Sequence, residues 1–243
     1  MSKITEVTFQ VDSLDVDMFN QCRPSAVLGY LQEAATQAAI QLGASGPEIL
    51  EKYNCLWMVS RNWVELNAPL RWNEEFTIQT WHRGGTGVAT YRDFDIFRGG
   101  ERIGQAVAQW VMVDADTHKL YRMRDVTEFQ GTDGGERKKS IKLHRVPMPK
   151  EFQVAGKRYL GYSDTDINGH INNIHYACDA LHLERHGREK FVREFQISYI
   201  GECRAGEELT METAMEDNHL YARGVGGEGE ARFEYALTLA DQG

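Results

Sequence analysis

The sequence is short of several things. It has only four cysteines (Cys22, Cys55, Cys178 and Cys203) in 243 residues, and none form a C-x-x-C pair. That spacing reads as reduced, mostly buried thiols rather than a disulfide or zinc framework. No apolar run approaches the roughly 18 residues that suggest a membrane span. The opening Met1-Ser2-Lys3-Ile4-Thr5 has neither the apolar core of a signal peptide nor the arginine- and serine-rich character of a transit peptide. The expected location is therefore the cytoplasm. Basic residues are also in deficit, 27 against 36 acidic ones for a net charge of −9. Such a charge repels phosphate backbones and argues against general nucleic-acid binding. A G-x-S-x-G nucleophile elbow is missing too.

What is present is a soluble, globular composition, 42% hydrophobic and 26% charged, long enough for one large or two small cores. Residues 4–11 alternate as a strand. Residues 12–21 are polar and turn-like, and Pro24 suits the first turn of a helix. Val27, Leu28, Leu31, Ala34, Ala35, Ala38 and Leu42 then recur at helical spacing, with an alanine-rich face that lets a sheet approach closely. Gly43 is the stop signal, and 47–52 a short helical turn. Strand-like alternation follows over 57–67, 76–83, 88–97 and 102–113.

Residues 132–150 break the pattern with Gly134-Gly135, then Arg137, Lys138, Lys139, Lys142 and Arg145, ending in Pro147 and Pro149. They read as a basic linker. Beyond them the order repeats: a strand at 156–162, a helix over 171–186, and strands at 191–200, 208–215, 220–225 and 231–239. Glu74-Glu75-Phe76-Thr77-Ile78 matches Glu207-Glu208-Leu209-Thr210-Met211 in character, and Trp63-Val64-Glu65-Leu66 matches Gln196-Ile197-Ser198-Tyr199. The expected organisation is a unit over 1–131, the linker 132–150 and a unit over 151–243. The fold class is α+β, each long antiparallel sheet wrapping a central helix.

One stretch stands apart: Ser163-Asp164-Thr165-Asp166-Ile167-Asn168-Gly169-His170-Ile171-Asn172-Asn173. Helix capping accounts for Asp166, Asn168 and Gly169, but not for His170 or the paired asparagines. Chemically, helix-start amides and an asparagine amide favour developing negative charge, and a histidine exchanges protons near neutral pH. Residues 13–24, with Asp15, Asp17 and Asn20, are a degraded echo without the histidine. One active site per chain follows.

The run Asp166-Ile167-Asn168-Gly169-His170-Ile171-Asn172-Asn173 resembles the D-x-N-x-H-[VI]-N-N signature of the fatty acyl-ACP thioesterases. Tyr199-Ile200-Gly201-Glu202-Cys203 resembles that family's downstream glutamate–cysteine segment, with Ile200-Gly201 where plant members usually carry two basic residues. The resemblance covers nearly the whole chain. It implies two tandem hotdog domains, the first holding the acyl chain. It also implies hydrolysis of acyl-acyl carrier protein to free fatty acid, with no cofactor or metal. By it Asp166, Asn168, His170 and Glu202 are catalytic. Glu202 takes a proton from the attacking water and His170 holds that water. Asn168 and helix-start amides receive the oxyanion, while Asp166 orients His170 and Asn168. The implied partner is acyl carrier protein bearing a phosphopantetheine-linked acyl chain, docked on the basic linker and on Arg188, Lys190 and Arg193. A homodimer is compatible. An acyl-CoA thioesterase and a non-catalytic acyl-thioester binder are the alternatives.

Other candidates carry plainer readings. Cys203 is a small buried residue rather than a nucleophile. His182 and His186 lack a third metal ligand and read as a solvated helix end. The five tryptophans read mostly as core or sheet packing, and the glycines at 99–100 and 224–229 as hairpin turns.

Overall fold

The computed structural model describes residues 4–129, 143–167, 169–181 and 189–242. The basic run at 132–142, Asn168, His182, His186 and Arg188 lie outside the described residues. The first half runs β1 (Thr5–Gln10), α1 (Pro24–Gln41), α2 (Gly46–Tyr53), β2 (Cys55–Leu66), β3 (Glu75–Thr86), β4 (Ala89–Arg98) and β5 (Glu101–Asp114). The second runs β6 (Gln153–Tyr159), α3 (Asn173–Leu181), β7 (Lys190–Tyr199), β8 (Glu208–Glu216), β9 (His219–Val225) and β10 (Ala231–Asp241). Strand boundaries fall close to the alternation, because a half-buried strand writes its period directly into the sequence.

All ten strands join one antiparallel sheet in the order β1-β3-β4-β5-β2-β7-β10-β9-β8-β6. Read inward from either edge, the two halves have the same order: edge strand, three-strand meander, then the strand that follows the helix. The halves meet where β2 pairs with β7, from Arg61↔Ser198 to Glu65↔Glu194. The centre of that ladder is Trp63↔Gln196. These are the two residues that the internal sequence match places in register. Each half therefore meets its own equivalent across a pseudo-two-fold axis, as in an isologous dimer interface.

Pro24 occupies the first position of α1, where its missing N–H is no loss. The helix lies across the sheet on Val27, Leu28, Leu31, Ala34, Ala35 and Ala38, all buried. Each large aliphatic among them contributes about 1.5–3 kcal/mol by leaving water. The alanines let the helix backbone approach β-strand side chains such as Phe76, Ile78, Phe94 and Val64 within the same core. The tryptophans divide: Trp81 is buried, Trp57, Trp63 and Trp110 are partly covered, and Trp72 is exposed. Trp72 is thus neither core nor sheet packing; it sits in the turn just before β3.

Candidate active site

The polar run does not itself start a helix. Residues 162–164 form a single 3-10 turn, and a loop closed by an isolated bridge between Thr165 and Ile171 follows. Inside that loop the Asp166 N–H donates to the His170 carbonyl at 2.8 Å, and the Gly169 N–H to the Asp166 carbonyl at 3.0 Å. The Asp166 carboxylate accepts from the His170 backbone N–H at 3.2 Å. Gly169 has φ +77°, a left-handed angle that glycine adopts without strain. The cap of α3 is Asn172, whose side-chain oxygen accepts from the Ile174 N–H at 3.2 Å.

Two expectations change here. The cap is one of the paired asparagines, not Asp166 or Asn168. Ile174 N–H of α3 is held by Asn172, and His175 N–H by the Asn172 carbonyl. Neither amide is therefore available to an oxyanion.

The loop exists twice. Val16 bridges Cys22 as Thr165 bridges Ile171. Asp17 N–H donates to the Gln21 carbonyl at 2.8 Å, Asn20 N–H to the Asp17 carbonyl, and Gln21 N–H to the Asp17 carboxylate at 2.9 Å. Asn20, in the place of Gly169, also has a left-handed φ of +61°. Among the described residues, each of these bonds of the second loop has its counterpart in the first. In that register Asp17 stands for Asp166, Phe19 for Asn168 and Gln21 for His170. The aspartate and the left-handed residue belong to the loop's architecture; Asn168 and His170 are what the second copy adds.

A separate framework presents Glu202. Ile200 and Gly201 N–H groups both donate to the Arg232 carbonyl, at 2.8 and 3.0 Å, extending the β7–β10 pairing past Tyr199. A side chain on Gly201 would press on Arg232, since its Cβ would lie 3.2 Å from the Arg232 Cδ. On the other side, Cys203 N–H donates to the Tyr176 hydroxyl oxygen at 3.2 Å. Tyr176 packs edge-on against Tyr199 and Phe233, and the Tyr199 hydroxyl donates to the Asn173 carbonyl. Desolvation raises both phenols above their ordinary pKa, so they stay neutral. Sequence reasoning gave Tyr176 and Arg232 no role. The helical position of Tyr176 resembles that of any core aromatic, and its partner lies 27 residues on.

These frameworks bring His170 Nε2 to 3.2 Å from Glu202 Oε1. Both side chains keep about a quarter of their surface, 26% each, so the pair is reachable from solvent. Cys203, beside Glu202, is fully buried, and burial raises its thiol pKa. That environment is the opposite of an activated thiolate site. Asp164 is a pin: it is buried and accepts from the Gly161 N–H at 2.7 Å and from Arg158 Nη2 at 2.6 Å. No group of three or more His, Cys, Asp or Glu suited to a metal occurs among the described residues.

Lys190 and Arg193, expected to serve docking, stand near the start of β7. Lys190 Nζ donates to Asn218 and Arg193 lies 3.6 Å from Glu65. At about 3.3 Å per residue, Lys190 is about 30 Å along the strand from Tyr199 and the Glu202 end.

The acyl-ACP thioesterase N-terminal domain profile matches residues 2–128. Oleoyl-acyl carrier protein thioesterase 2 of Arabidopsis thaliana chloroplasts is 23% identical over 270 residues, covering 97% of this chain and 72% of that protein. The acyl-ACP thioesterase of Bacteroides thetaiotaomicron superposes with a TM-score of 0.89 at 24% identity, covering 98% of each chain. The 12:0-ACP thioesterase of Umbellularia californica gives 0.84 at 18% identity, covering 100% of this chain and 99% of that one. The tandem hotdog architecture is thus shared along the whole length, and the chain belongs to the acyl-ACP thioesterase family.

Proposed function

We propose that this chain hydrolyses the thioester of acyl-acyl carrier protein, releasing free fatty acid, with Glu202 and His170 as the reacting pair. The observation that carries the assignment is their 3.2 Å contact, which joins the polar loop before α3 to the segment after β7 within the second half. Water sits between the pair and the thioester carbonyl. Glu202 takes its proton as the oxygen attacks, and His170 fixes the water's orientation. The resulting tetrahedral oxyanion is met by Asn168. It collapses by expelling the pantetheine thiolate, which needs little acid help because a thiol pKa is roughly 8.5. Asp166 acts through the backbone of the loop, holding the His170 amide, and is a positioning residue.

The organisation into units at 1–131 and 151–243 about a connector at 132–150 goes with this reading, and the repeated strand order and repeated loop support it. The partner is acyl carrier protein with its phosphopantetheine-linked chain, arriving at the His170–Glu202 end. The test is steady-state hydrolysis of a long-chain acyl-ACP by Glu202→Gln and His170→Ala. Each should lose about 10²–10⁴-fold in kcat, with the melting temperature unchanged. Near-normal turnover in either variant would remove that residue from the mechanism.

A further inference from the structure

The pseudo-two-fold axis carries the catalytic end of the molecule onto another place, at the far end of β7. There the first loop, with Gln21 and Pro69 in the positions of His170 and Glu202, faces the start of β7. A cavity of about 1040 Å³ opens between them, lined by Phe19, Val27, Leu66, Phe191, Val192 and Phe195 among others. Its lining includes none of Asp166, His170 or Glu202. Phe191 is eight residues along β7 from Tyr199, about 26 Å at 3.3 Å per residue. Its inner wall reaches Ile174 of α3, four residues from His170, but its mouth at Phe19, Gln21 and Phe191 opens at the other end of β7, so the cavity is entered apart from the His170–Glu202 pair.

Its walls are mostly apolar, and its volume is at the upper end of ordinary ligand pockets. Three charged side chains reach it. The Asp17 carboxylate is held by the Phe19 and Gln21 N–H groups, and the Asp15 carboxylate accepts from the Tyr30 hydroxyl at 2.5 Å. Arg23 differs: it is exposed, its Nη1 donates to the Leu14 carbonyl, and it makes no ion pair among the described residues. Gln21 cannot act as a base. Its amide is buried and donates to the Lys190 carbonyl at 2.8 Å.

A second observation concerns Gly29, which lines the same cavity from the middle of α1. Glycine is a poorer helix former than any residue but proline. A Cβ added at Gly29 would meet nothing within 4 Å, so no neighbour requires the glycine. What its missing side chain preserves is the open volume.

We propose that this cavity is a second, non-hydrolytic site that binds a long-chain fatty acid, its chain between α1 and β7 and its carboxylate at Arg23. The site keeps the loop of the catalytic copy and has lost the acid and base, so it holds an acyl chain without turning one over. The assignment of the chain as fatty acyl rests on the proposed thioesterase activity, whereas the apolar cavity and the lone cation at its rim do not. The enzyme's own product is a ligand of this class.

The test is isothermal titration of the full chain with palmitate and with methyl palmitate. Gly29→Phe fills the cavity, and Gly29→Leu does so with a smaller group; both should melt no lower than the parent. They should abolish one saturable palmitate site, or weaken it at least 10-fold, with kcat for acyl-ACP unchanged. Arg23→Gln should weaken palmitate several-fold and leave methyl palmitate unaffected. Unaltered palmitate stoichiometry and affinity in both Gly29 variants would overturn the site. Equal binding of acid and ester by the parent chain would overturn the assigned headgroup. Failure of thioesterase activity would leave these binding outcomes readable, so the two readings fall separately.

Discussion

Asp17 and Asp166 fasten the same backbone loop, and only one of them stands beside a histidine. This separates two contributions that a signature motif merges. Asp17 accepts backbone N–H bonds at 2.8 and 2.9 Å, and bonds to a charged acceptor are each worth about 1.5–3 kcal/mol. Asp17→Ala should therefore lower stability by a few kcal/mol, read by urea unfolding, with kcat intact. Asp166→Ala should lower stability by a similar amount and also reduce kcat, because the loop it loosens carries His170. If Asp166→Ala lost activity with no loss of stability, a direct chemical role would replace the positioning one. Cys203 makes the complementary case. Its thiol is buried and its pKa raised, so thiolate is scarce near neutral pH. Cys203→Ser should retain turnover within a few-fold, and alkylating reagents at pH 7 should leave the enzyme active.

At the scale of elements, Glu202 is held by what lies either side of it: the Arg232 carbonyl near the start of β10 and the Tyr176 hydroxyl of α3. Tyr176→Phe leaves the buried Cys203 N–H without that acceptor, at about 1–3 kcal/mol, and frees the segment to shift. The expected signature is a fall in kcat of about tenfold with KM and the pH profile unchanged; a rise in KM alone would mean that Tyr176 contacts substrate. These elements were unevenly legible. Strands such as β4 and β5 wrote their alternation into the sequence, and Pro24 announced α1. The start of α3, expected at Ile171 and found at Asn173, is blurred because Asp166, Asn168, Gly169 and Asn172 all have capping chemistry. Only the bridge between Thr165 and Ile171, a tertiary fact, decides which one caps. His170 was conspicuous by composition, whereas Glu202 is one acid among 36 and gained meaning only from the family resemblance. Nothing local in Gln21 or Pro69 reveals that they correspond to His170 and Glu202. Gln21 is matched by the repeated loop, and Pro69 by the β2–β7 register centred on Trp63 and Gln196.

The molecule as a whole is a fused pair of near-equivalent halves in which one end holds the proposed His170–Glu202 pair and the other holds Gln21 and Pro69 instead. A carrier protein must therefore distinguish two similar ends. The net charge of −9 repels an acidic carrier at long range, so a local cation has to guide it. At the Glu202 end the exposed Arg204 is two residues from the Glu202 carboxylate. Tyr162 and Ile167 nearby are 90% and 99% exposed, but Leu14 and Met18 of the first loop are 82% and 86% exposed, so these apolar tips are common to both ends. Lys190 and Arg193 face the opposite end and already meet Asn218 and Glu65. Charge reversal should therefore separate the two groups. Arg204→Glu is expected to raise KM for acyl-ACP by about 5–10-fold, with the effect shrinking as salt rises. Arg193→Glu should change it less than about twofold, because its nearest carboxylate, not the carrier, holds its charge. Hydrolysis of a small acyl-pantetheine, which has no protein to dock, should be the same in both variants. A KM that moves with Arg193 and not with Arg204 would place the carrier at the other end of the molecule, above the cavity that holds no catalytic pair.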